Sequence, residues 1–202
     1  MQLKLRRTRI EFGLSFVIII TLMLIFFDEK IVLLSLLSSF LHESGHILAM
    51  LLCKEKIDRV VFGGFGFRIE RSSLGNTSYI GEVVIALGGI FVNFSMFLLS
   101  LLFYLLWGSD ALFIFGVINL FVALMNSLPI KSLDMGKALW YLLLLKTEED
   151  RAEIIKERVS FIFSLLFAAF TILYSIFIRV NFSLVAVSIY LLTETEFKIH
   201  GQ

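Results

Sequence analysis

The chain reads as a series of apolar runs separated by short polar breaks. The runs fall at about Leu14 to Phe27, Ile31 to Cys53, Val83 to Trp107, Ala111 to Leu128, Ser160 to Ile178 and Phe182 to Leu192. A helix crossing the hydrocarbon layer takes about 20 residues, and only the first and last runs are short of that. The pattern predicts an all-α membrane protein of six transmembrane helices. One stretch departs from it. "VVFGGFGFRIERSSLGNTSYIGE", between the second and third runs, is rich in Gly and Phe and alternates over short distances, which suits neither a helix nor a flexible linker. It predicts a β-hairpin that partly re-enters the membrane from the cytosolic side. No Gly-Lys-Ser/Thr follows its "GGFG", so those glycines point to close backbone packing, not to a phosphate cradle.

The polar "KTEEDRAEIIKER" mixes both signs at helical spacing, with Thr147 able to cap it. It predicts a solvated cytosolic helix joining the fourth and fifth spans. No polar stretch is long enough to fold by itself. The expectation is therefore one membrane domain over residues 1–202, with its core at about 31–145.

Composition supports a membrane protein: 58% of the 202 residues are hydrophobic, 22 of them Phe, and mean hydropathy is +0.92. The net charge of +1 names no acidic partner and gives no reason to expect nucleic acid. Charge placement says more. With a cytosolic N-terminus and six alternating spans, only Lys30 and Arg179 of the 18 Lys and Arg fall outside, so the positive-inside rule places both termini in the cytosol. The first 30 residues imitate a secretory signal but end in "LIFFDEK" without a small-residue cleavage site, which predicts a retained span. By the same orientation Asn76, spelled "NTS", is cytosolic and no glycosylation acceptor. Cys53 is the only cysteine, which excludes an intramolecular disulfide and a cysteine metal cage.

Polar chemistry is concentrated in "FLHESGHILAM", Phe40 to Met50. His42 and His46 are four apart, so on a helix they share a face and suit one Zn²⁺; Glu43 beside them is placed to act as a base on water, not to ligate. H-E-x-x-H is the zinc-protease spelling of that arrangement. Ionisable groups inside a membrane span are costly and call for a function. With His200 in the polar tail, a third protein ligand has to be a carboxylate. Asp28 and Asp110 lie in turns on the far side, Asp150 in the polar loop, and Asp58 just past the second span. Asp134 remains, either as a ligand or as the N-cap of the short helix "MGKALWYLLLL". His46 and His42 lie roughly 10 to 17 Å from the cytosolic end of their helix. Asp134 reaches them if "PIKSLDMG", after the single proline Pro129, dips back into the bundle.

Three motifs in this order resemble the site-2 protease family of intramembrane zinc metalloproteases, and most of all its stage IV sporulation branch. "HESGH" resembles the family's H-E-x-x-H. "LGGIFVNF", with Asn93, resembles its Gly-rich third span, and "NSLPIKSLDMGK", with Asn126 and Asp134, its N-x-L-P-x-x-x-L-D-G-G segment. Two positions depart from the pattern: Gly88-Gly89 stands for the family's Gly-Pro, and Asp134-Met135-Gly136 for Asp-Gly-Gly. The resemblance implies one zinc held by His42, His46 and Asp134, with Glu43 as general base and Asn126 on the oxyanion or the substrate backbone. It implies substrate contact or helix packing for Asn93. The predicted hairpin at Phe65, Gly66 and Phe67 offers a strand edge to an extended substrate.

The implied activity is hydrolysis of a membrane-tethered protein near the cytosolic face, with a sporulation sigma-factor precursor as the family's example. An inhibitory or regulatory membrane partner is the further partner class. No PDZ or nucleotide-sensing module is expected. The competing reading is a catalytically idle zinc-binding scaffold or a metal transporter. A transporter would spread ionisable residues along a path, whereas here they gather at one depth.

Overall fold

A computed structural model describes residues 2–5, 8–12, 14–55, 57–63, 66–71 and 77–195, with side chains described over 17–55 and 77–195. The chain forms two compact units, Met1–Leu124 and Met125–Gln202.

The first unit holds four strands and most of four helices. Strands β1 (Gln2–Leu5), β2 (Thr8–Phe12), β3 (Ile57–Gly63) and β4 (Gly66–Arg71) form one sheet in the order β1-β2-β3-β4. The β1–β2 and β3–β4 pairs are antiparallel, while β2 and β3 are parallel, with Arg9 opposite Arg59 and Phe12 opposite Phe62. Helices α1 (Leu14–Phe26) and α2 (Glu29–Leu52) follow β2; α3 (Tyr79–Trp107) and α4 (Asp110–Asn126) follow β4, the last two residues of α4 belonging to the second unit.

Both ends of α2 are fixed by local chemistry. Asp28 Oδ1 caps its start, accepting from Lys30 N at 2.9 Å and Ile31 N at 3.3 Å. At its end Lys54 turns left-handed (φ 60°), and the amides of Lys54 and Glu55 return to Leu51 O and Met50 O. That is a Schellman closure, made here without glycine. Gly108, also left-handed (φ 64°), closes α3. Helices α2 and α3 cross with their backbones touching. A Cβ on Gly45 would run into the Gly88 carbonyl, and one on Gly88 would lie 2.5 Å from Gly45 O. Beside this crossing Ala49, Met50 and Ile85 form the apolar core of the unit.

The second unit contains α5 (Asp134–Leu144), α6 (Glu149–Phe177) and α7 (Phe182–Glu194). The bend before α5 is tied to α6, since Lys131 N donates to Ser160 Oγ at 2.8 Å and Ser160 Oγ donates to Pro129 O at 3.4 Å. Ile130, fully buried, anchors it. Gly136 completes the fit, because a Cβ there would collide with the Ile130 carbonyl.

The expected all-α fold of six transmembrane helices with a lone re-entrant hairpin is corrected on three counts. Strands are present, and the β3–β4 pair is one end of a four-stranded sheet that also takes in Gln2–Leu5 and Thr8–Phe12. Its edges, among the described residues, are β1 and β4. Among the described residues, three helices are long and apolar enough to cross a membrane: Glu29–Leu52, Tyr79–Trp107 and Glu149–Phe177. The shorter apolar helices Val17–Phe26, Asp110–Asn126 and Phe182–Glu194 have at most 17 residues, a reach of about 26 Å at 1.5 Å per residue against a layer of about 30 Å. The polar segment expected as a separate connecting helix is the first part of α6, which runs on without a break from Glu149. Helices α3 and α6 expose large apolar side chains, such as Phe91 and Phe177, as lipid contact requires.

Candidate metal centre

His42 and His46 lie one turn apart on α2, and both are buried. Their rings meet edge to face at 84°, with centroids 4.9 Å apart. Each Nδ1 faces an oxygen contributed by α3: Asn93 Oδ1 for His42, and the backbone carbonyl of Ile85, at 2.8 Å, for His46. A backbone carbonyl only accepts, so His46 carries its proton on Nδ1. The same tautomer holds for His42, because Asn93 Nδ2 is already donating to Ser38 and Asn119, which turns Oδ1 toward the ring. Both Nε2 atoms therefore present lone pairs, and they stand 3.2 Å apart. With both rings neutral in this tautomer, the two Nε2 lone pairs face each other, an arrangement that a cation shared between them would favour. Nitrogens at about 2.0–2.1 Å from a tetrahedral ion are about 3.3–3.4 Å apart. The spacing found is close to that value.

Gly89 lies against this pair. A Cβ there would be 2.6 Å from His42 Cε1, 2.6 Å from His46 Nε2 and 2.7 Å from His42 Nε2. Glycine at this position leaves clearance for the two rings.

In the second unit Asp134 is the first residue of α5 and is buried. It does not cap the helix: Leu133 occupies that position, with no side-chain cap bond. Its Oδ1 accepts from Lys137 Nζ at 3.0 Å. The Lys137 charge and the positive end of the α5 dipole both favour a carboxylate there. The close approach to Ile130 falls at Gly136 and not at Met135, which the turn accommodates.

Among the described residues, His42, His46 and Asp134 are a group of buried side chains that could hold a metal ion, each offering one ligand atom. Two imidazoles and one carboxylate suit zinc, and three protein ligands leave a fourth position for chemistry.

The remaining expected site residues are placed as follows. Glu43 is half-buried on α2, next to His42. Asn126 ends α4 and is half-buried. Asn93 is fully buried on α3, against His42. Gly66 and Phe67 belong to β4 at one edge of the sheet. Phe65, Asn76 and His200 lie outside the described residues. The sequence reading passed over Ser38 and Asn119, both fully buried and bonded to Asn93. Asn119 carried a readable signal, as a carboxamide in the middle of an apolar run.

No protein-family model matches the chain, and no curated protein does. A solved structure, the Site-2 Protease from Methanocaldococcus jannaschii, matches over 97% of this chain and 93% of its own, with a TM-score of 0.68 and 22% sequence identity. The chain has the fold of a site-2 protease. At this identity the likeness speaks for the fold alone.

Proposed function

We propose that this chain is a zinc-dependent intramembrane endopeptidase. The observation that carries the reading is the His42–His46 pair: two Nε2 lone pairs 3.2 Å apart, with both Nδ1 atoms engaged by acceptors. The site-2 protease fold and the buried carboxylate of Asp134 support it. In this reading His42, His46 and Asp134 hold one Zn²⁺. When bound, zinc supplies a Lewis acid that polarises the scissile carbonyl and acidifies a water molecule. Glu43, adjacent to His42, takes the proton of the attacking water and returns it to the leaving amine. Asn126 offers its amide N–H to the developing oxyanion. Asn93 holds His42 through Nδ1 and contributes orientation, not substrate contact.

The substrate is a membrane-tethered protein, unwound locally and laid as an extra strand along β4 at the sheet edge, so Gly66 and Phe67 fall beside it. Resemblance of the motifs to the sporulation branch supports a tethered transcription-factor precursor as that protein, and an inhibitory membrane partner as its regulator. The basic N-terminal segment, with Lys4, Arg6, Arg7 and Arg9, supports a cytosolic N-terminus and a site serving the cytosolic face of a bacterial membrane.

Metal content of the detergent-purified protein tests the reading. About one zinc per chain is expected in wild type, with loss in both His46→Ala and Asp134→Ala. Zinc absent from wild type, or retained in full by Asp134→Ala, would refute the ligand set.

A further inference from the structure

The metal-ligand reading stops at Asn93, but the polar contacts do not. Asn93 is itself held from two other helices. Its Nδ2 donates to Asn119 Oδ1 on α4 at 2.7 Å, and to Ser38 Oγ and Ser38 O on α2 at 3.1 and 3.3 Å. Ser38 Oγ also donates to Asn119 Oδ1, at 3.1 Å. Asn119 Nδ2 donates to Phe115 O, one turn back on α4, at 2.8 Å. Ser38, Asn93 and Asn119 are each fully buried.

The chain has one direction. It starts on the Phe115 carbonyl, which cannot donate, so Asn119 must present its NH₂ there and its oxygen to Asn93. Asn93 must then present its NH₂ to Asn119 and its oxygen to His42. With either amide flipped, two NH₂ groups or two carbonyl oxygens would face each other among fully buried side chains, each left without a partner. The orientation of Asn119 is thereby passed to His42, whose proton is kept on Nδ1 and whose Nε2 lone pair is kept on the His46 side. His46 needs no such chain, because Ile85 O already fixes its tautomer.

We infer that Asn119 and Ser38 are positioning residues that set the tautomer and ring orientation of His42 through Asn93, so that α4 controls metal affinity without touching the metal. This rests on the zinc reading above. Partners behind a metal-ligating histidine typically change metal affinity by about 10- to 100-fold when removed. The effect should be larger for Asn119, which sets the direction, than for Ser38, which leaves its own carbonyl in place as an acceptor.

The test compares full-length wild type with Asn119→Leu, Ser38→Ala and Asn93→Leu. Competitive zinc titration and the visible ligand-field spectrum of the Co²⁺-loaded protein are measured beside thermal stability. The expected order of zinc affinity is wild type, Ser38→Ala, Asn119→Leu, then Asn93→Leu. A drop of about tenfold is expected for Asn119→Leu, with its Co²⁺ spectrum displaced from wild type. Ser38→Ala removes a single oxygen, so it reports on the chain even if Asn119→Leu fails to fold. A melting temperature lowered in either variant, with zinc affinity and Co²⁺ spectrum those of wild type, would assign the network to helix packing and overturn the inference while the protease reading stands. Wild type that takes up neither metal would overturn both.

Discussion

Replacing Gly89 by alanine gives a sharp test of the site, because the helix and the histidine pair respond in opposite directions. The added methyl would sit 2.6–2.7 Å from His42 Cε1, His42 Nε2 and His46 Nε2. Ordinary contacts lie at about 3.5–4.0 Å, so the rings must withdraw by roughly 0.8–1 Å. Metal–ligand distances tolerate about 0.2 Å. The rings also cannot swing aside freely, since each is held at Nδ1, by Asn93 and by Ile85 O. Zinc affinity should fall by at least about 100-fold, beyond the loss of one supporting hydrogen bond. Helix propensity runs the other way, favouring alanine by about 1 kcal/mol, so helicity and detergent stability should hold. The assay is zinc per chain by mass spectrometry, read beside circular dichroism. Gly116→Ala is the control, because its Cβ would meet only Ser100 Cβ at 3.2 Å and the Phe97 backbone and ring farther off. Stoichiometric zinc in Gly89→Ala at wild-type affinity would refute the clearance argument and the histidine geometry behind it.

Other outcomes follow from the same geometry. Glu43→Gln should keep its zinc and lose about 10²- to 10⁴-fold in cleavage of a tethered substrate, measured by gel assay; zinc lost together with activity would make Glu43 a ligand. Gly136→Ala drives a methyl into the Ile130 carbonyl, so both melting temperature and zinc content should drop, whereas a stable, zinc-replete variant would mean that the bend is pliable. Proline scanned through residues 66–71 should stop cleavage at alternate positions, where an outward N–H is removed, with zinc unchanged; uniform cleavage would count against strand addition on β4. Chelation should abolish cleavage reversibly with helicity preserved, because the α2–α3 crossing is made by glycine backbones and not by metal; helix loss on chelation would contradict that.

Much of the first unit was legible because its signals are local. The span expected at Ile31 to Cys53 is Glu29–Leu52, and that at Val83 to Trp107 is Tyr79–Trp107. The extra residues at the starts follow the caps Asp28 and Ser78, which hydropathy does not weigh. His42, His46 and Asp134, which could hold a metal ion, stood out in the sequence because ionisable groups within so apolar a chain are few. The sheet was not. Residues 2–12 alternate polar and apolar side chains, but their basic residues also suit the flank of a membrane span. The pairing that decides the matter joins Arg9–Phe12 to Arg59–Phe62, about 50 positions away. Six spans were over-read because apolar composition does not measure helix length. Asn93 and Asn119 could be seen as polar residues in apolar runs. That they touch each other depends on how α3 and α4 are rotated, which no local pattern records.

The hydrogen-bonded junction of Ser38, Asn93 and Asn119 also bears on how the protein is made. A chain is made from its N-terminus, so α2 and α3 exist before α4 brings the carbonyl that orients Asn93. Until then Asn93 can point either face of its amide at His42, and the imidazole has no enforced tautomer. The histidine pair matures only when α4 docks. On the proposed reading, a chain that ends before α4 would carry the H-E-x-x-H helix with the tautomer of His42 unset.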